Sequence, residues 1–358
     1  MTPRSHRLFY LDWMRGVAAL IMLQGHVFHS FLSNDLRNEG PYRLSQFVGG
    51  MPPAVFLFLL GVTFAFLMDS EERRGVPGWG RMRSGIRRSG YLFAVAFAFR
   101  LQLWLFSIDK SPWTDLFRVD VLNIMGLSLL LLSVMGVFRT VERVRLCAVL
   151  GLAIALAAPV ISGIDWRGLH PFLRGYLIPD HLNFGVFPWT AFVAFGMSAG
   201  SILRRLQPDE VGPAMQWLGW GGVVLAFGTW TVSNLSMTVY SNSDFWLNSP
   251  SLILIKLGVL LMMLALSYVW NLNLSPQRWS MVRQFGTTSL LVYWVHVELV
   301  YGKAFWYFKE SLSVPEACVM SVFIIFLMLG LSLLRTNFGA VKVWFGLSDT
   351  LTERVPGN

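Results

Sequence analysis

The residues of this sequence that could do chemistry lie inside runs that are otherwise apolar. One run carries Asp12, Arg15, His26 and His29. A later run carries Arg100, and the next opens with Asp120 and Asn123. His296 sits far along the chain, with Tyr293 one helical turn before it, and His181 lies in a polar stretch that ends at Gly185-Val186-Phe187-Pro188-Trp189-Thr190. A histidine titrates near neutrality, so it can take the proton of a hydroxyl or amine as that group attacks an acyl carbon. It can instead take the acyl group itself. An Arg or Asn can hold a developing oxyanion or the phosphates of an acyl carrier. No metal is needed for this, and no cysteine cluster or His-x-x-x-His spacing suggests one.

Spacing adds to residue type. Arg15 and His26 are eleven positions apart, which on a helix leaves them about 20° from a common direction and ~16 Å apart along the axis. His29 is one turn beyond His26, within reach of the same face. Plainer readings stand beside these: an interfacial arginine that snorkels, or a histidine satisfied by a neighbouring carbonyl. An arginine at the depth of Arg100 is costly unless paired, and Asp120 is the available partner, so a structural Arg100–Asp120 pair is expected. The stretch 163–183, with Asp165, Arg167, His170, Arg174, Asp180, His181 and Asn183, would serve equally as a lid over an outer pocket or as a solvated loop. His296 is either functional or a buried core histidine.

These residues must be positioned by membrane helices. Hydrophobic residues make up 54% and charged residues 14%, against about 25% charged in ordinary soluble domains. Many runs reach the ~20 residues that cross a bilayer, and they lack the alternation of a barrel strand. The expected fold is all-α: a polytopic integral membrane protein with about ten transmembrane helices. The spans fall near 11–33, 47–68, 88–106, 119–137, 146–162, 184–203, 213–235, 251–270, 287–308 and 316–334. The first run has no small-residue cleavage site and is read as a retained span. Residues 1–335 are expected to form a single multipass domain and 336–358 a short cytoplasmic tail.

Lys and Arg in alternate connections divide 18 to 7, which places both termini on the cytoplasmic side. The net charge of +9 is therefore inner-surface charge and calls for no nucleic acid. The basic segment from Arg73 to Arg88 is expected to meet lipid headgroups or another anionic ligand. Cys147 and Cys318 fall toward opposite sides, so a disulfide is not expected. Gly75-Val76-Pro77-Gly78-Trp79-Gly80 is a turn and no phosphate loop. Two classes of function remain open on these grounds, a group-transfer enzyme and a transporter of a small polar or anionic solute. Broken helices would favour the second.

A resemblance narrows the choice. Leu11-Asp12-Trp13-Met14-Arg15-Gly16-Val17-Ala18-Ala19-Leu20…His26 looks like the opening of multipass membrane acyltransferases. Arg15 and His26 match the Arg and His of the bacterial acyltransferase-3 group. Phe56-Leu57-Phe58-Leu59-Leu60-Gly61-Val62-Thr63, Asp120-Val121-Leu122-Asn123-Ile124-Met125-Gly126-Leu127, Phe187-Pro188-Trp189…Gly196…Gly200 and Ser289-Leu290-Leu291-Val292-Tyr293-Trp294-Val295-His296 resemble landmarks of a second bacterial group. That group is similar to heparan-alpha-glucosaminide N-acetyltransferase, and the likeness covers roughly residues 11–300.

The resemblance implies transfer of an acetyl or other acyl group from cytoplasmic acyl-CoA, a co-substrate, with no permanently bound cofactor. The acceptor would be a hydroxyl or amine of an extracytoplasmic sugar or glycolipid. It implies a multi-pass protein of the bacterial cytoplasmic (inner) membrane, in contact with membrane lipids. Whether two copies pair as a homodimer is left open. Within that scheme His26 is the general base or acyl carrier, with His181, Arg100 and Asp120 as further catalytic residues. Arg15, Arg283 and Gln284 would meet the CoA phosphates. His29, Asn123, Trp189 and His296 would line the acceptor site. In the glucosaminide enzyme the active histidine belongs to the connection after the first span. Residues 34–46 contain no His here, so the histidine roles rest on the acyltransferase-3 pattern.

Overall fold

The computed structural model describes residues 8–107, 111–178, 180, 184–235, 240, 243–272 and 279–337. Among these, thirteen α-helices form: α1 (Phe9–Phe31), α2 (Gly40–Gly49), α3 (Pro52–Arg73), α4 (Gly78–Phe106), α5 (Val121–Leu132), α6 (Thr140–Gly163), α7 (Pro171–Leu177), α8 (Val186–Leu203), α9 (Val211–Ser233), α10 (Pro250–Leu272), α11 (Met281–Thr287), α12 (Ser289–Tyr301) and α13 (Val314–Thr336). Extended pairing among the described residues is one isolated bridge, Leu32 to Leu312. The chain divides into two compact units. One takes the chain up to Ala18 and from Gly50 to Arg278; the other takes Ala19–Gly49 and the chain from Trp279 onward.

The protein is an all-α polytopic membrane protein. Among the described residues, seven helical segments are both long and apolar enough to cross a bilayer. They are α2 with α3 (Gly40–Arg73), α4, α5 with the 3-10 turns on either side of it (Trp113–Val137), α6, α8, α10 and α13. The other three expected spans are helical but differ in kind. Helices α1 and α9 have 23 residues each, ample length for a crossing, yet neither is among the seven. In α1 the polar groups of chemical interest, Asp12, Arg15, Gln24, His26 and His29, dilute the apolar character. The expected span 287–308 is a 13-residue helix, α12, too short to cross alone. The chain breaks before it at Thr288 (φ −118°, ψ 18°). The Thr287 and Thr288 hydroxyls both donate to the Gln284 carbonyl, at 2.9 and 3.1 Å, local bonds of the type that compete with a helical ladder. Gly302 ends the helix on the other side.

Helix starts follow local chemistry. Pro52 and Pro53 open α3, where a missing N–H costs nothing. Asp120 and Asn123 form a reciprocal capping box on α5, as Ser313 and Glu316 do on α13. Two connections carry helix that was not expected: residues 34–46 contain a 3-10 turn and the start of α2, and 163–183 contains α7.

In the first unit, α8 packs closely on both α3 and α6, and α9 packs on α10. Small residues allow it. A methyl on Gly61 would run into the Val193 carbonyl, and one on Gly196 into the Phe58 carbonyl. Such small-residue contacts bring backbones together where lipid supplies no hydrophobic drive. The basic end of the same unit is tied by ions. Asp69 accepts from Arg73 at 2.9 Å, Arg204 at 2.7 Å and the Thr140 hydroxyl at 3.1 Å. Glu72 takes Thr140 and the fully buried Arg143. Arg81, expected among the headgroup-facing basic residues, is buried instead. Its guanidinium donates to the carbonyls of Gly136, Val76, Val137 and Phe138.

Candidate active site

Within the second unit, His26 of α1 and His296 of α12 come together although 270 positions separate them. His26 Nδ1 lies 2.8 Å from His296 Nε2, and the rings are nearly parallel. His296 is fully buried, while His26 is half-buried. The other nitrogen of His296, Nδ1, lies 2.8 Å from the Val292 carbonyl one turn back. A carbonyl only accepts, so the proton of neutral His296 belongs on Nδ1. Its Nε2 is then the acceptor, and His26 Nδ1–H donates to it. The remaining nitrogen of His26, Nε2, carries the free lone pair. One backbone carbonyl thus sets the tautomers of both rings, as a second group commonly orients a working imidazole.

Aromatic groups fix this pair. Tyr301 meets His26 edge-on at 5.4 Å, and Tyr293 meets His296 at 5.9 Å. The exposed His29 pairs its Nδ1 with the Tyr42 hydroxyl at 3.1 Å. The Ser30 hydroxyl donates to the Val300 carbonyl at 2.7 Å, holding α1 against α12. Lys309 donates to the same carbonyl at 2.6 Å and sits over the Phe31 and Tyr301 rings. Burial pushes its ammonium below the usual lysine value, with Glu310 opposing the shift.

A second polar cluster belongs to the first unit. Arg100 of α4 pairs with Asp120 at 3.1 Å, both nearly buried. The other Asp120 oxygen accepts from the Leu122 and Asn123 amides at 3.0 and 3.2 Å. Asn123 Oδ1 accepts from the Asp120 amide, and its Nδ2 donates to the Tyr176 hydroxyl at 3.1 Å. Burial pushes the Tyr176 phenol up, the Asn123 bond opposing it, so the hydroxyl stays protonated. Asp120 therefore both caps α5 and neutralises Arg100, which suits a fixed framework better than a proton acceptor.

The remaining candidates are dispersed. Arg15 pairs with Asp12 at 3.0 Å. The Arg283 amide is capped by Ser280. The Gln284 amide nitrogen donates to Ser332 and Thr336 on α13, so its donors serve helix packing. Trp189 meets Phe184 edge-on and Phe192 at a tilt, and receives the Lys256 ammonium over its ring at 5.1 Å. His181 lies outside the described residues. The sequence pointed to His26 and His296 separately and did not pair them; Tyr301 stood out as a polar group of the same span without a role, and Tyr42 and Tyr176 were missed. The spacing of Tyr293, His296 and Tyr301 was the available signal for an aromatic-lined histidine.

Comparison with known families bears on what this arrangement serves. Residues 7–233, more than half of the chain, match the model described as heparan-alpha-glucosaminide N-acetyltransferase, catalytic. The chain belongs to this family. It is an acyl-CoA-dependent acetyltransferase with acetyl-CoA as co-substrate, acting on a hydroxyl or amine of a glycan or glycolipid. The matched stretch contains Arg15, His26, Arg100, Asp120 and Asn123; His296 lies beyond it. No curated protein matches the chain.

Proposed function

We propose that the enzyme moves an acetyl group from cytoplasmic acetyl-CoA to an acceptor on the far side of a bacterial inner membrane. His26 acts as the general base. The observation that carries this is the relay from Val292 through His296 to His26, which leaves His26 Nε2 as the basic nitrogen. In the step, Nε2 takes the proton of the acceptor hydroxyl or amine as its oxygen or nitrogen attacks the thioester carbon. The positive charge that forms on His26 is stabilised through its Nδ1–H bond to His296. Collapse of the tetrahedral intermediate breaks the carbon–sulfur bond, and the proton returns to the departing CoA thiolate.

In the first unit, Arg15 is a candidate for the CoA phosphates, and Arg100, Asp120 and Asn123, with Trp189, for the acceptor. In the second unit, Arg283 is a candidate for the CoA phosphates and His29 for the acceptor, while the side chain of Gln284 holds α11 to α13. His181 is a further candidate for the acceptor. Helices α1 and α9 and the broken pair α11–α12 complete ten crossings, with both termini cytoplasmic as the 18-to-7 division of basic residues supports. Residues 1–335 form the catalytic domain and 336–358 a cytoplasmic tail. Exposed Trp217, Trp220, Phe227 and Trp230 on α9 suit a lipid-facing surface. The break at Thr288 is a feature shared with solute carriers, but the carbonyl it frees is already taken by Thr287 and Thr288 hydroxyls.

The test uses purified full-length protein in nanodiscs with labelled acetyl-CoA and a glycan panel. His26→Ala should lower turnover by about 100- to 10,000-fold, the usual worth of a general base, while the protein remains monodisperse. Full activity in that variant would remove His26 from the mechanism. Transient label on a histidine of the wild-type protein, labile to acid and to hydroxylamine, would replace direct transfer with an acetyl-enzyme.

A further inference from the structure

A cavity of about 680 Å³ opens in the first unit, between the segment 113–119 and α7. This is within the size of ordinary small-molecule sites. Its wall is mostly apolar, with a few polar groups: Trp113, Phe117 and Phe172 on one hand, Asp115, Arg118 and His170 on the other. We infer that this cavity binds a hexopyranose ring of the acceptor, stacked on Trp113. The inference rests on the acetyltransferase reading and gives its acceptor a place.

Three observations carry it. First, the aromatic wall is continuous. Trp113 meets Phe117 at 6.2 Å, Phe117 meets Phe172 at 5.5 Å, and Phe172 meets Tyr176 at 5.1 Å, each pair edge-to-face. Trp113 nonetheless remains 66% exposed. A large indole held in place but left open presents a flat face without a partner. The C–H face of a pyranose carries slight positive charge and matches the negative face of such a ring. An amino sugar in its ammonium form would gain further from the indole.

Second, the polar groups match the rim of a sugar. Asp115 is an acceptor and Arg118 a donor. The Phe172 amide donates to His170 Nδ1, so neutral His170 carries its proton on Nε2 and offers a second donor. Hydroxyls, which both donate and accept, fit this mixed set; an acyl chain would leave it unmatched.

Third, the cavity adjoins the cluster assigned to the acceptor side. Val119 lines it, and the next residue is Asp120. Gly175 lines it, and the next residue is Tyr176, whose hydroxyl accepts from Asn123.

The experiment is photolabelling of the full chain in nanodiscs without acetyl-CoA, using a diazirine-bearing methyl α-glucosaminide, with peptides mapped by mass spectrometry. Label is expected on 113–119 and 170–176. It should fall at least tenfold in Trp113→Ala and persist in Trp113→Phe. His26→Ala should take label like the wild type, so loss of acetyl transfer and loss of sugar binding are read separately. Sugar label elsewhere, or none, overturns the inference whether or not the enzyme transfers acetyl. So does labelling of these peptides by a photoreactive phospholipid that the sugar fails to displace.

Discussion

Replacing His296 with Leu tests the relay most directly. The substitution keeps an apolar side chain in a fully buried position but removes the acceptor 2.8 Å from His26 Nδ1. Two effects follow. In the resting protein the His26 donor loses its partner, which costs about 1–3 kcal/mol if nothing replaces it. In the transition state the lost bond is one made to a charged imidazolium, worth roughly 1.5–3 kcal/mol. Because the bond is lost in both states, only the excess of the charged bond over the neutral one, roughly 1–1.5 kcal/mol, falls on kcat, which at 1.36 kcal/mol per decade lowers it about 5- to 12-fold. His296→Gln, whose amide oxygen can still accept, should recover most of the loss. The assay is single-turnover acetyl transfer at saturating acetyl-CoA, with thermal unfolding in detergent run alongside. Wild-type kcat in a folded His296→Leu protein would refute the relay. Equal loss in the Leu and Gln variants would also refute it, since that would mean bulk and not the hydrogen bond is being read.

Arg100→Ala should destabilise the protein by about 3–5 kcal/mol, because it strands the buried Asp120 charge; Arg100→Ala with Asp120→Asn should recover much of that in chemical unfolding, since Asn still caps α5. Arg15→Gln should raise KM for acetyl-CoA about tenfold with a smaller change in kcat, and an unchanged KM would separate Arg15 from CoA. Gly196→Ala should cost about 1–3 kcal/mol, because its methyl meets the Phe58 carbonyl and backbone cannot yield as a side chain does; an unshifted melting temperature would show that α3 and α8 can part.

Much of the architecture was written locally and could be taken from the sequence. Apolar length announced the membrane helices, and the offset of Arg15 and His26 placed them toward one face of α1. The Arg100–Asp120 pair was also legible: an arginine in one apolar run was followed by an acid at the mouth of the next, and the cap that Asp120 forms on α5 spans only three residues. Tertiary structure decided the rest. His26 and His296 meet across 270 positions, and no local periodicity encodes that. Gln284 turned to α13 because its donors found Ser332 and Thr336. Arg81 was drawn from the basic surface by carbonyls at the end of a turn more than 50 residues away. Residue type and spacing fixed which groups had to be satisfied in lipid; only the packing of distant helices determined which partner satisfied each one, and hence which histidine nitrogen was left basic.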